Sequence, residues 1–171
     1  MSTKQPHNFA SRAFQKRFLR VASEFGFRRN YYYYTTYEGD TRFGIRPCMV
    51  TNGAFEFPIL DVTCFIFSKT WFTVLHSEPV PEVGSDQISF ELSSISGLRD
   101  GWFLKREDAV EEVTDQVIEA FRSSAMPLFH SCTTVESVLA YAEHGRSFNH
   151  GKKHLLEDIA RYRELTGARS E

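Results

Sequence analysis

Short strand-favouring segments separated by turn residues occupy most of the chain between residues 27 and 94, and this pattern constrains the fold more than any other feature. The segments are rich in aromatic and β-branched residues, which fit the pleated surface of a sheet. Tight turns are predicted at 38–40 and 51–53, and strands joined by such short turns pair antiparallel. We predict a loop at 77–86 and strands at 27–37, 41–49, 60–67, 71–76 and 88–94.

Helical periodicity marks the chain before and after these strands. A helix is predicted at 8–25, where apolar side chains recur on one face, namely Ala10, Phe14, Phe18, Val21 and Phe25. Three more are predicted at 107–125, 133–144 and 152–166, and Pro127 is expected to break or kink the chain after the first of these. This order of elements predicts an α+β fold, an antiparallel sheet of about five strands with the N-terminal and C-terminal helices packed against it.

A chain of 171 residues is long enough for one domain with a substantial core. We predict a single α+β domain over 1–171, in which 8–146 form the core domain and 147–171 a C-terminal helical extension. Thr133 and Glu136 form a capping-box pattern at the start of one predicted helix. The predicted inward face of the extension consists of Leu155, Ile159, Tyr162 and Leu165.

Charge and cysteine content exclude several classes of protein. The net charge of −2 disfavours nucleic acid as a partner. The cysteines are Cys48, Cys64 and Cys132, an odd number without a CxxC motif, which favours a reducing compartment over a disulfide framework. The N-terminus has no apolar secretory region, and the most apolar stretch, 61–75, is too short and too polar to span a bilayer. We therefore predict a cytoplasmic protein without a membrane partner.

Alternation within the strands predicts a sheet with two different faces. The third predicted strand points four apolar side chains to one side, namely Leu60, Val62, Cys64 and Ile66. Its other side mixes polar and aromatic groups, namely Asp61, Thr63, Phe65 and Phe67. The first side is the predicted core face, and we call the other the second face.

Four consecutive tyrosines in the first predicted strand bear on this second face. Because neighbours in a strand point to opposite sides, one pair, Tyr31 with Tyr33 or Tyr32 with Tyr34, is expected to share it with Phe65 and Phe67. We predict that it binds another protein or a second copy of the chain, through Tyr31, Tyr32, Tyr33, Tyr34, Phe65 and Phe67. Two alternatives remain open: a second layer of core under the C-terminal helices, or a pocket for a small ligand.

Two histidine patterns suggest chemistry without completing a site. His150 and His154 lie four residues apart, with His144 as a third possible metal ligand, but Lys152 and Lys153 between them would repel a cation. We therefore predict no metal site and no cofactor.

The second pattern is His130 with Cys132, which could form a nucleophile pair but lacks a group to orient the imidazole. We therefore assign no catalytic residues and predict that the chain is not an enzyme.

Charged stripes are typical of solvated helix faces. Arg12, Lys16 and Arg20 form one such stripe, followed in the chain by Arg28 and Arg29.

Glu111, Asp115 and Glu119 form another stripe, which could also be an acidic surface that meets a basic partner. Trp102, just before this acidic helix, is predicted to be a structural residue that holds its loop onto the sheet.

Four short motifs carry a resemblance to a known family, namely FGFRR at 25–29, GWFL at 101–104, MPLF at 126–129 and TTVESV at 133–138. Over about residues 9–144 the chain resembles a bacterial family of α+β domains of unknown function, some of whose members are associated with toxin–immunity loci. The resemblance implies no catalytic residues. The expected function is a non-enzymatic bacterial protein-binding domain with an immunity-type or regulatory role. The alternative is a small-ligand binding or enzymatic domain with a pocket on the second face.

Overall fold

The computed structural model describes residues 6–51, 55–81, 87–145 and 152–167. Its elements in chain order are α1 Pro6–Glu24, β1 Arg28–Asn30, β2 Tyr33–Glu38, β3 Thr41–Val50, β4 Ile59–Ser68, α2 Lys69–His76, β5 Ile88–Glu91, α3 Leu92–Ile95, β6 Trp102–Phe103, a 3₁₀ turn Glu107–Ala109, α4 Val110–Ala120, a π-helical segment Phe121–Ala125, α5 Met126–Ser131, α6 Val135–His144 and α7 Lys152–Thr166. None of the helices in these ranges is long and apolar enough to cross a membrane.

The strands form one antiparallel sheet in the order β1-β2-β3-β4-β5. β3 and β4 pair along their whole length, from Thr41 opposite Ser68 to Val50 opposite Ile59. The short β6 also pairs with β4, at its start, where Trp102 lies opposite Leu60. The predicted α+β fold with an antiparallel sheet, an N-terminal helix and C-terminal helices is confirmed.

The core face of the sheet is covered by helices. All four apolar residues predicted for this face of β4 are fully buried in the main core cluster, which also holds side chains from α1, α4, α5, α6 and α7. At its centre the Phe121 ring lies edge-on to Phe18, Phe25 and Phe27 at centroid distances of 5.2, 5.8 and 5.9 Å. Buried aromatic pairs of this geometry add to the free energy gained from burial itself.

The predicted strand at 71–76 is wrong, because this segment is the helix α2. The Ser68 hydroxyl accepts a hydrogen bond from the Trp71 N–H at 3.2 Å, and the Asp40 carboxylate accepts from the Thr70 N–H at 3.0 Å. These bonds satisfy two N–H groups that a helix start leaves unpaired. Asp40 belongs to the distant β2–β3 turn, so a tertiary contact overrides the β-propensity of the segment.

The predicted single strand at 27–37 is two strands in the structure. They form the hairpin β1–β2, and Tyr31 and Tyr32 are its two-residue turn. Tyr31 has φ of 52°, in the left-handed region that glycine or asparagine usually occupies in such turns. Neither turn position holds a residue of those types, and Asn30 lies one residue before the turn. The strand-favouring residues of this segment therefore predicted one uninterrupted strand through all four tyrosines.

The predicted strand at 88–94 is shorter, because β5 ends at Glu91 and α3 follows. The reason lies in β4, where the buried Asp61 carboxylate accepts hydrogen bonds from the N–H and the hydroxyl of Ser93. The chain turns into a helix at the point where these bonds form.

The predicted interruption at Pro127 takes the form of a π-helical segment. The Met126 N–H donates to the Phe121 carbonyl, one residue further back than in an α-helix, and Pro127 then lies in the first turn of α5. Proline lacks an N–H and crowds the preceding turn, and the wider π turn accommodates both effects. The helical path consequently continues to Ser131 instead of ending near 125.

The capping box of α6 lies one residue later than predicted. Thr134, not Thr133, is the N-cap, and it exchanges hydrogen bonds with Ser137, not Glu136. The Thr133 carbonyl instead accepts from the Asp40 N–H at 2.9 Å, which ties the start of α6 to the β2–β3 turn.

The last helix, α7, has the bounds that were predicted for it. Leu155, Ile159 and Tyr162 are buried in the main core cluster, but Leu165 is exposed, contrary to the prediction. Asn52 and Gly53 of one predicted turn, residues 82–86 of the predicted loop, and His150 lie outside the described residues.

Candidate functional site

The hairpin turn of Tyr31 and Tyr32, here called the tyrosine turn, presents two aromatic rings to solvent. Tyr31 is 66% exposed and Tyr32 is 82% exposed. The turn connects β1, the three-residue edge strand of the sheet, to β2. An edge this short offers little backbone for strand addition, so the rings are the feature through which this edge can bind.

The two arginines beside the turn have different roles. The Arg28 guanidinium donates to the carbonyls of Ser23 and Phe27, both at 2.9 Å, and so caps the C-terminal end of α1. Arg29 is exposed and has no ion-pair or hydrogen-bond partner for its side chain within the described part of the chain. Arg29 therefore leaves a free positive charge next to the tyrosine turn.

Tyr33 and Tyr34 point to opposite faces of the sheet. Tyr33 lies on the second face, with its ring 4.8 Å from the Phe65 ring and the Arg46 guanidinium 5.8 Å from its centroid. Tyr34 pairs with Ile45 and packs against the main core cluster. The prediction that one pair, Tyr31 with Tyr33 or Tyr32 with Tyr34, shares this face with Phe65 therefore holds only for Tyr33.

Phe65 and Phe67 lie on the second face as predicted, but both are buried. The Arg42 guanidinium lies 4.4 Å from the Phe67 centroid and donates to the Pro81 carbonyl at 3.0 Å. The Phe72 ring from α2 lies 5.4 Å from Phe67. Within the predicted interaction surface, the exposed rings are thus those of the tyrosine turn, while Phe65 and Phe67 belong to a second packing layer.

A polar cluster occupies the rest of the second face. The Asp61 carboxylate accepts from the Val62 N–H at 2.7 Å and from Ser93, and Thr63 Oγ1 donates to both carboxylate oxygens of Glu91 at 3.2 Å. Burial raises the pKa of Asp61, an effect that its hydrogen bonds from Ser93 and Val62 partly offset. These bonds join β4 to β5 and to the start of α3, which is a structural role.

The three cysteines are not activated as nucleophiles. Burial, followed by the negative charges of Glu91 and Asp61, raises the pKa of Cys48 to about 11. A thiol with such a pKa stays protonated at neutral pH and is a poor nucleophile. Burial raises the pKa of Cys64 and of Cys132 as well.

The histidine patterns do not assemble into sites. His130 Nδ1 lies 2.9 Å from Glu38 Oε2 at the surface, while Cys132 is buried, so the two do not form a nucleophile pair. His154 is exposed beside Glu157. Among the residues that the structure describes, no three His, Cys, Asp or Glu side chains are grouped to hold a metal ion.

Part of the acidic stripe on α4 is paired with α1. Arg17 Nη2 lies 2.7 and 2.8 Å from the two carboxylate oxygens of Asp115, and Arg17 Nη1 lies 3.9 Å from Glu111. Surface pairs of this kind contribute about 0.2–1 kcal/mol each, so they orient the two helices more than they stabilise them. Sequence reasoning missed Arg17, because the partner of a helix face is set by packing and leaves no local pattern.

A groove runs along α4, between this helix and the chain that joins α3 to β6. Its volume is about 630 Å³, and its walls include Leu98, Trp102, Glu112, Asp115, Gln116 and Glu119. We call it the acidic groove. Trp102 is 8% exposed and belongs to the core, as its predicted structural role requires, while its ring also forms part of the groove wall. Sequence analysis identified Asp115, Glu119 and Trp102 but not Glu112, which lies one helical turn before Asp115, or Leu98, which only the fold brings beside them.

Among the described residues, the tyrosine turn and the acidic groove are surface features that could contact a partner, whereas the buried side chains of Asp61 and Thr63 are committed to internal hydrogen bonds. No protein-family model, curated protein or solved structure matches this chain.

Proposed function

We propose that this chain is a non-enzymatic protein-binding domain that contacts its partner through the tyrosine turn, in an immunity-type or regulatory role. The observation that carries the proposal is the placement of two adjacent tyrosine rings in solvent at a hairpin tip. Tyrosine is enriched at protein interfaces, because its ring buries a large area and its hydroxyl finds a polar partner. It also loses little conformational entropy on binding, since it has only two side-chain torsions.

The backbone of the turn supports the same proposal. Tyr31 holds a left-handed conformation, with φ of 52°. For a residue with a bulky side chain this conformation costs about 1–2 kcal/mol relative to the right-handed region. Glycine or asparagine at this position would relieve the strain, and a tyrosine in their place is consistent with a ring that serves a contact. Strain of this kind is often found where function requires a particular side chain.

Charge near the turn indicates the chemistry of the partner. Arg29 and Arg46 are both exposed, and Arg46 lies over the ring of Tyr33 next to the turn. An acidic protein surface would pair with these guanidinium groups while the tyrosine rings bury against it. Charges at the rim of an interface mainly raise the association rate and select the partner.

The test is a double substitution, Tyr31→Ser with Tyr32→Ser, and its matched control is Tyr37→Ser. Tyr37 is also an exposed tyrosine of the same hairpin, but it lies at the opposite end of β2. Each purified protein is used to capture partners from its native cells, with quantification by mass spectrometry, and sedimentation velocity measures self-association. A specific partner or a self-associated species should be lost with the double variant and kept with the control.

Circular dichroism and thermal melting establish that each variant is folded before binding is compared. The proposal fails if the wild-type chain is monomeric and retains no partner, or if the control loses as much binding as the double variant. Unfolding of the double variant would also contradict it, because exposed turn residues cannot support a core.

A further inference from the structure

We infer that α7 is a releasable strap, and that the face of α2 and α6 beneath it binds an amphipathic helix of another protein when the strap is displaced. In the structure α7 packs against α2 and α6. This helix therefore shows what kind of occupant the face accepts. The site includes no residue of the tyrosine turn and does not depend on the function proposed for that turn.

The attachment of α7 to the rest of the fold is made by side chains. Leu155, Ile159 and Tyr162 are buried in the main core cluster. The Arg163 guanidinium donates to both carboxylate oxygens of Glu143 on α6, at 2.6 and 2.8 Å. Within the described residues, no backbone hydrogen bond joins α7 to another element. Release of the helix would therefore break these side-chain contacts and leave the pairing of the strands intact.

The buried share of α7 is small for its length. Three side chains are buried between residues 153 and 166, whereas α6 buries four of its 10 residues and α4 buries five of its 11. A helix as short as α7 is only marginally stable by itself in water, so packing has to hold it in place. Elements with few buried apolar contacts open locally before the rest of a domain unfolds. We expect α7 to be such an element.

The face beneath α7 combines apolar and charged positions. On α6, Glu136, Leu139 and Glu143 recur at helical spacing on one side, and Leu139 is buried. Because Glu143 holds the ion pair with α7, this is the side that α7 covers. Burial, followed by the negative charges of Glu136 and Asp40, raises the pKa of Tyr162, which is consistent with a tyrosine hydroxyl close to both carboxylates.

The pattern of α7 defines the chemistry of the occupant. Ile159 and Tyr162 are an aliphatic and an aromatic anchor about one helical turn apart, and Arg163 follows them. Grooves that bind amphipathic helices recognise anchors at this spacing. A partner helix with the same pattern would make the same contacts and keep the face covered. A second copy of the chain would only exchange its own helix for an identical one, whereas a partner helix adds its contacts to those already formed.

Hydrogen exchange of the full chain tests whether α7 is releasable. Its amides should exchange at least about 100-fold faster than those of β4, because local release does not require the sheet to unfold. Arg163→Glu sets a like charge against Glu143 and should speed exchange in α7 roughly tenfold further without a change in β4. The matched control is Arg161→Glu, the same charge change at an exposed position of the same helix. Equal exchange in α7 and β4, or equal effects of the two variants, would overturn the strap.

Binding to the uncovered face is tested with a fluorescent peptide of residues 152–167 and with its Arg163→Glu counterpart. The full-length Arg163→Glu chain keeps Glu143 and should bind the wild-type peptide. The full-length Glu143→Arg chain should instead bind the Arg163→Glu peptide. By fluorescence anisotropy, each matched combination should bind at least about tenfold tighter than the mismatched one, and the wild-type chain should bind the wild-type peptide about tenfold more weakly than the Arg163→Glu chain does.

Three results would overturn the binding face: no binding of either peptide, equal binding of matched and mismatched peptides, or equal binding by the wild-type and Arg163→Glu chains. A wild-type dimer in sedimentation velocity that Arg163→Glu dissociates would also overturn it, in favour of exchange of α7 between two copies. If Glu143→Arg does not fold, the Arg163→Glu chain with the two peptides still decides. Tyr31→Ser with Tyr32→Ser should change neither exchange nor peptide binding, which keeps failure of this site distinguishable from failure of the tyrosine turn.

Discussion

The core face and the second face of the sheet use alternate residues of the same strand, β4, yet they are buried in different ways. Val62 and Cys64 on the core face lie under a layer of helices and touch apolar side chains. On the second face, Thr63 lies against the Glu91 carboxylate, Phe65 against the Tyr33 ring and Phe67 against the Arg42 guanidinium. The comparison indicates that one face provides stability, whereas the other holds loops, short helices and the exposed hairpin in position.

The largest expected difference between the faces is in the free energy of unfolding lost when a buried phenylalanine of each face is replaced. Phe121→Ala should lower the free energy of unfolding by about 5 kcal/mol, the upper end for a buried ring, because three neighbouring rings lose contact. Phe67→Ala should cost about 3 kcal/mol, because Arg42 and Phe72 are able to move into part of the space. Urea denaturation followed by circular dichroism measures both values, and equal losses would remove the distinction between the faces.

Substitution of Trp102 tests whether this side chain acts as part of the core or as part of the groove surface. Trp102→Ala should lower the free energy of unfolding by about 3 kcal/mol, since a mostly buried ring and its contact with α4 are lost. Trp102→Phe is the control that keeps a ring in this place. An unchanged melting temperature of Trp102→Ala would mean that the ring acts as a contact residue only.

Substitution of Asp61 tests how much the hydrogen bonds on the second face contribute to stability. Asp61→Ala leaves the Ser93 N–H and hydroxyl without their acceptor and should cost about 1–3 kcal/mol at neutral pH. Asp61→Asn keeps an acceptor oxygen at this position and should be milder. Chemical denaturation at pH 7 compares the two, and an equal loss would show that the charge matters more than the hydrogen bonds.

The contribution of Asp61 to the free energy of unfolding changes with pH in a defined direction. Burial raises the pKa of Asp61 in the folded state above its unfolded value, so the folded chain binds this proton more tightly. The contribution of this group to stability is therefore present below the unfolded pKa and is lost as the pH rises through the folded pKa. Asp61→Asn should remove that part of the slope in a plot of unfolding free energy against pH, and an unchanged slope would contradict the assignment.

The smallest expected effect is at the tyrosine turn. Tyr31→Asn should raise the free energy of unfolding by up to about 1 kcal/mol, because asparagine accepts the left-handed conformation more readily. The control is Tyr32→Asn, which lacks this gain because Tyr32 has an ordinary φ. Thermal melting of both variants measures the difference. A loss of stability in Tyr31→Asn would mean that the ring itself stabilises the hairpin.

Local patterns predicted a large share of this fold. The alternation in β4 identified its core face, the 3.6-residue period located α1, and the same period located α7 within its observed bounds. These features are readable because each depends on the spacing of apolar residues along a single element. The prediction of an antiparallel α+β fold from the order of elements succeeded for the same reason.

Tertiary contacts decided the rest. The segment 71–76 is helical because Asp40 of the β2–β3 turn pairs with its first N–H groups, and β5 ends because Asp61 binds Ser93. The turn falls at Tyr31 and Tyr32 because the register of β1 with β2 pairs Asn30 with Tyr33, although neither turn position holds glycine or asparagine. The acidic groove and the Arg17–Asp115 pair arise where distant elements pack. Spacing along the chain carries the signal for burial, whereas the partners of polar and charged groups are set by contacts between residues far apart in sequence.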